Sequence, residues 1–105
     1  MTAIITIELP ERFDSQTASE AEQSLRAALQ EQAKVIVDGS AVIYMSAAGV
    51  RTLAGVLRDA EAMGAHVVFC NFVGVAADCL DVSGFAQLLD IAASRDEARA
   101  RLNAG

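Results

Sequence analysis

The chain has 105 residues, 53% of them hydrophobic but only 5% aromatic, with no tryptophan. It can bury one modest core of small, closely packed side chains. A formal net charge of −6 and the lack of a basic, aromatic-interleaved surface argue against a nucleic-acid partner, since phosphate would be repelled.

Cys70 and Cys79 lack CxxC spacing and share the chain with a single histidine, so no usual zinc site can form. Both thiols are expected reduced and buried, and no metal or cofactor is expected. The start, Met1-Thr2-Ala3-Ile4, has neither a basic region nor a long apolar stretch. No signal peptide and no direct membrane insertion are expected, and a cytoplasmic location is the default reading. Without a repeat, a low-complexity linker or more than one proline, residues 1–105 read as one domain.

Ile4 to Leu9 alternates, with Ile5, Ile7 and Leu9 on one side and Thr6 and Glu8 on the other, which predicts a strand with one wet face. Pro10 helps to stop it. Asp14 or Ser15 can cap a helix carrying Ala18, Ala21, Leu25, Ala28 and Leu29 at helical spacing. Val35-Ile36-Val37 is a continuous apolar run, as in a strand buried on both faces, and ends at Asp38. A second run, Ala41 to Met45, leads into Ser46, with Tyr44 expected in the core. A helix follows with Val50, Leu53, Ala54, Leu57 and Ala60 inside, Arg51, Arg58, Asp59 and Glu61 outside, and Gly64 at its C-terminal end.

Exposed His66 opens the next expected strand, whose buried run is Val67 to Cys70. A third helix holds Val75, Ala76, Cys79 and Leu80, and ends near Ser83-Gly84. Leu88 to Ile91 reads as a short edge strand. Ser94 and Glu97 have capping-box spacing and open a last helix. There Arg95, Arg99 and Arg101 read as ordinary surface partners of Asp96 and Glu97. Alternating strands and helices imply parallel pairing and right-handed crossovers, hence a small α/β layer.

Sites in such sheets gather beyond the C-terminal ends of the strands. There, Ser46-Ala47-Ala48-Gly49 would start a helix with very small, exposed residues. Its free N–H groups could receive an anion or a partner's surface. No second glycine at P-loop spacing and no lysine accompany it, so a nucleotide site is not implied. Nor does the chain offer a coherent nucleophile, base and oxyanion set, and no enzyme is expected.

The segment Val35 to Val50 resembles the central motif of STAS domains, an apolar strand, Asp-Leu-Ser, a few apolar residues and Asp-Ser-Ser-Gly-Leu. Leu9-Pro10-Glu11-Arg12-Phe13-Asp14 is similar to the family's Gly-Glu-Leu-Asp turn, and Leu80 to Phe85 to its late Ser-Gly-Leu turn. The resemblance implies the STAS fold, a four- to five-stranded, mixed but mostly parallel sheet flanked by about four helices. An initial strand that many members carry would be reduced or missing.

The resemblance further implies a non-catalytic switch. In the family's anti-sigma factor antagonists, the first serine of Asp-Ser-Ser-Gly is phosphorylated by a histidine-kinase-like ATPase that is also the anti-sigma factor. Phosphate then weakens their contact. Here Ser46 stands at the family's Asp, Ala47 at the phospho-acceptor and Ala48 at the second serine, while Gly49 is retained. Three outcomes remain open: a constitutive antagonist, an accessory STAS subunit of a sensory or lipid-transporter complex, or Ser46 as substitute acceptor. Ser46 also suits an N-cap. The expected partner-binding residues are Ser46, Ala47, Ala48, Gly49 and Arg51, joined by Glu11, Arg12, Asp14, Asp38 and Ser40. For Asp38 and Ser40, turn stabilisation is the competing role.

Overall fold

The computed structural model describes residues 3–84, 87 and 89–104. Its elements are β1 (Ile4–Glu8), β2 (Arg12–Phe13), α1 (Ala18–Ala28), β3 (Lys34–Asp38), β4 (Tyr44–Met45), α2 (Ala47–Ala62), β5 (His66–Cys70), α3 (Gly74–Ser83), β6 (Ile91–Ala92) and α4 (Arg95–Ala104). The main sheet has the order β1-β3-β5-β6, with every neighbouring pair parallel, and β2 pairs with β4 in a separate parallel ribbon.

The two central strands follow from their residues. Val35 to Asp38 and Val67 to Cys70 are buried throughout, on a backbone that β-branched side chains favour. Val35, Val37, Val67 and Phe69 point into the larger core, shared with α1, α2 and α3. Ile36, Val68 and Cys70 join a second layer with Ala98 and Leu102 of α4. Each fully buried Val, Leu or Phe contributes about 1.5–3 kcal/mol. Ile4 and Ile7 of β1 pack against opposite layers, so the expected wet face is partly covered, while Ile5 stays 40% exposed.

α1 buries Ala18, Ala21, Leu25 and Ala28, the expected stripe. Its N-cap position is Thr17, and no side chain caps it. Asp14 instead holds the preceding turn, its Oδ1 accepting the N–H groups of Gln16 at 3.0 Å and Thr17 at 3.3 Å. On α2 the buried set is Gly49, Val50, Leu53, Val56 and Ala60; Val56 joins the expected stripe, Leu57 packs half-buried against the core, and Ala54 is half-buried. The helix closes as foreseen. Gly64, at φ +70°, donates to the Glu61 carbonyl, and Ala65 donates to that of Ala60 at 2.9 Å, the paired bonds of a Schellman end.

Three expectations need correction. The run Ala41 to Met45 is not a buried strand. The Val42 N–H turns back to the Gly39 carbonyl, and only Tyr44 and Met45 pair, with β2. Tyr44 is 41% exposed instead of in the core, because its ring lies under the Arg12 guanidinium, 4.8 Å from the centroid. The last strand begins at Ile91, while Leu89 drops into the core. Leu88, and Phe85 of the late turn, lie outside the described residues.

At the start of α4, Ser94 Oγ accepts the Glu97 N–H at 3.2 Å. The Glu97 carboxylate accepts from Ala93, one residue earlier than a standard capping box. His66 is exposed, and Cys70 (buried) and Cys79 (half-buried) are free thiols.

Candidate functional site

The row Glu8–Asp38–Cys70–Ala92 ends the four strands of the main sheet in register. Beyond it two clusters of opposite character form. The first is built on Asp38, whose side chain is only 2% exposed. One carboxylate oxygen accepts the Ser40 N–H at 2.8 Å and the Asn71 amide at 3.1 Å, and the other accepts from Arg95. Arg95 also reaches Glu8 at 2.8 Å, joining α4 to the ends of β1 and β3. Burial pushes the Asp38 carboxyl up. The Ser40 N–H, Arg95, Asn71 and the Ser40 side chain outweigh it and hold the group below its ordinary value. Burial, and then the Asp38 charge, push the neighbouring Cys70 thiol up, which keeps it protonated and inert.

Asp38 therefore spends its bonds inside the fold and is not presented to a partner. Ser40 is exposed, and its backbone N–H closes the turn on Asp38. Arg95 is a neighbour of Asp38 that local reading missed: its bonds go to Asp38 and Glu8, not to Asp96. It lies 57 positions from Asp38, and no periodicity signals such a pair.

The second cluster is the start of α2. The β2–β4 ribbon carries it, with Ile43 and Tyr44 donating to the Glu11 carbonyl at 2.8 and 3.2 Å, and Ser46 to that of Phe13 at 3.1 Å. Gly49 is required by contact. A Cβ there would stand 2.7 Å from the Phe13 carbonyl oxygen and 2.9 Å from its ring. This brings the helix start close against β2 and leaves Ala47 exposed and Ala48 half-buried at the surface.

Ser46 sits at the N-cap, yet no side chain caps α2. The Ser46 hydroxyl oxygen is buried without a hydrogen-bond partner among the described residues. The expected capping role is thus corrected. The burial also withdraws this hydroxyl from a kinase in this conformation, which counts against Ser46 as substitute acceptor.

Of the remaining expected contacts, Arg12 and Arg51 are exposed near the helix start, and Glu11 contributes its carbonyl to the ribbon. Asp14 is consumed in its turn and in a 3.6 Å pair with Arg12. What the sequence reading missed is α3. Ala47, Val50, Arg51 and Ala54 form one wall of an apolar groove of about 670 Å³, and Val75, Asp78, Cys79 and Val82 form much of the other. Val75 is 50% exposed, Val73 69% and Val82 90%. Apolar residues on nearly every side of α3 were the available signal, since one packed face cannot cover them all.

A model of the STAS domain matches residues 2–98. The chain belongs to the STAS domain family. No curated protein sequence matches it. Among solved structures, an anti-sigma-factor antagonist (STAS) domain protein from Planctomyces limnophilus is 15% identical, with a TM-score of 0.83 over 93% of this chain and 89% of that one. A sulfate transporter family protein from Wolinella succinogenes is 17% identical (TM-score 0.82, 99% and 89% covered). The phosphorylated form of the Bacillus cell fate determinant SpoIIAA is 19% identical (TM-score 0.70, 97% and 93% covered). At these identities the likeness is one of fold. The STAS domain serves generally as a regulatory and interaction domain, and among the described residues no group of three or more His, Cys, Asp or Glu could hold a metal. No helix among them is long and apolar enough to cross a membrane.

Proposed function

We propose that this STAS domain is a non-catalytic antagonist that docks a histidine-kinase-like ATPase anti-sigma factor through Ser46–Val50 and the adjoining α2–α3 groove. It stays in the binding-competent form in the cytoplasm of a bacterial cell. The observation that carries the reading is the exposed methyl of Ala47, beside an uncovered apolar groove. A methyl cannot be phosphorylated, and small side chains let a partner's backbone come close. Arg51 and Arg12 offer cations at the rim of an otherwise acidic chain.

The test is a titration against the cognate anti-sigma ATPase, with and without Mg-ATP. The complex of the natural chain is expected to persist with ATP, and that of Ala47→Ser to be phosphorylated and released. Phosphate on Ser46 of the natural chain, with release of the partner, would overturn the constitutive reading.

The likeness to a sulfate transporter family protein favours a second reading, an accessory STAS subunit held in a transporter or sensory complex. Affinity purification from the native cell separates the two: transporter subunits, and no ATPase of the anti-sigma type, would favour the accessory role.

A further inference from the structure

We propose that Asp38 is the positioning residue for both walls of the α2–α3 groove and that Arg95 of α4 holds it in that setting, a role that rests on reading the groove as the docking surface. Two connections leave the sheet beside Asp38. Gly39 to Ile43 leads by way of β4 to the start of α2, and Asn71 to Val73 leads to the start of α3. One oxygen of the Asp38 carboxylate accepts from both, from the Ser40 N–H at 2.8 Å and from the Asn71 amide at 3.1 Å. The connections also touch each other. The Gly39 N–H donates to the Cys70 carbonyl at 3.0 Å, and a Cβ on Gly39 would stand 2.9 Å from the Phe72 ring.

The arm to α3 is bent around this bond. Asn71 stands at φ +60°, left-handed backbone that few residues besides glycine adopt and that asparagine tolerates. Gly74, the first residue of α3, is at φ +57°. These two positions aim α3, and so set Val75 and Cys79 on their side of the groove. On the other arm Val42 turns back to Gly39, Ile43 and Tyr44 hang on the Glu11 carbonyl, and α2 then presents Ala47 and Val50 as the facing wall. Arg95 decides whether Asp38 can serve both arms. The Asp38 side chain is buried, and a buried charge without a cation takes up a proton or draws in water. Either change disturbs the oxygen that the two N–H donors share. Arg95 bonds the second oxygen and belongs to α4, so the seating of α4 reaches both walls. Its other bond, to Glu8 at 2.8 Å, lies at the exposed rim, where screening leaves it little weight.

The test uses Cys79, a free, half-buried thiol in the groove, as a built-in reporter. Its alkylation, read by peptide mass spectrometry to keep it apart from buried Cys70, is followed beside the amide NMR spectrum of the full chain. Arg95→Gln is expected to speed the labelling roughly threefold or more, and to shift amides in both connections and at both helix starts. Asp38→Asn turns an NH2 group toward Arg95 and is expected to do the same, and the double variant to add little to either single one. Asn71→Gly accepts the positive φ but cuts one arm, so its changes should stay within residues 71–75 and Cys79. Glu8→Gln, and Val67→Ala as a core loss at the other end of β5, are expected to leave the labelling rate and the groove amides unchanged. Effects of Arg95→Gln no larger than those of Val67→Ala, or single-variant effects that simply add, would overturn the proposal. Affinity for the anti-sigma ATPase should fall with Arg95→Gln and Asp38→Asn. A groove that changes with no loss of affinity would support the positioning role and count against the docking reading alone.

Discussion

Asp38 and Ser46 lie eight positions apart, yet they are in opposite physical states. Asp38 is buried, and both of its carboxylate oxygens are engaged by Ser40, Asn71 and Arg95. At Ser46 the hydroxyl is buried with no partner among the described residues, no side chain caps the helix, and the exposed Ala47 stands beside an open groove. The first arrangement is one that internal bonding rewards. The second is one that a fold leaves when the missing contacts come from elsewhere. The comparison teaches that a polar residue in a family motif can serve the frame while plain alanines are left at the surface.

Breaking the second region's support should have the largest effect. Gly49→Val would drive side-chain atoms into the Phe13 carbonyl and ring, and is expected to cost about 3 kcal/mol. Urea unfolding would show it as a lower midpoint at similar slope. A neutral result would mean that the helix start does not sit against β2.

Next comes the first region itself. Asp38→Ala strips acceptors from the Ser40 N–H, Asn71 and Arg95, and is expected to cost about 2 kcal/mol. Its acid behaviour has a definite sign. The folded carboxyl lies below its ordinary value, so its contribution is fully present above the unfolded pKa near 4 and fades as pH falls through the lower folded value. Asp59, hydrogen-bonded to Arg26, and Glu97, bonded to the Ala93 N–H and then Arg101, are shifted the same way. Stability curves of the natural chain and Asp38→Asn, measured from pH 6 down to about pH 2, isolate the buried group. The variant should lose less stability over the acid range, and parallel curves would show that Asp38 is not held below its ordinary value.

How far these regions can be read in advance depends on how local their causes are. The runs Val35–Val37 and Val67–Cys70 announce buried strands because continuous apolar residues need cover on both faces. Gly64 announces a helix end because its backbone needs a positive φ. The β2–β4 ribbon is invisible, since two-residue strands have no period, and so nothing local distinguishes Tyr44 from a core residue. The Arg95–Asp38 pair spans 57 positions and depends wholly on topology. At the site, the small residues after Ser46 were legible. The α3 wall is legible only in part, because apolar residues on nearly every side of the helix say that some stay uncovered but not that Val75 and Val82 face α2.

Ala47→Glu should sharpen the contrast by separating contact from stability. Ala47 is exposed, and a carboxylate in the first turn of α2 suits the helix dipole, so the fold should change by less than about 0.5 kcal/mol. Binding to the anti-sigma ATPase is expected to fall at least tenfold, about 1.4 kcal/mol. Calorimetric titration beside thermal unfolding checks both. Unchanged binding would move the docking surface away from the helix start.

The smallest effect discriminates most finely. If Ser46 capped α2, Ser46→Ala would cost about 1 kcal/mol. Its hydroxyl is buried without a partner among the described residues, so removing it relieves an unsatisfied group and makes no new hole larger than one oxygen. The expected change is therefore between zero and about 1 kcal/mol of added stability. A partner that supplies the missing hydrogen bond on docking would reverse the sign in the complex: Ser46→Ala would then fold as well or better alone and bind more weakly. Unfolding and binding measured on one sample set distinguish a hydroxyl kept for contact from one that is only tolerated, and a loss of stability in the free chain would return Ser46 to the role of cap.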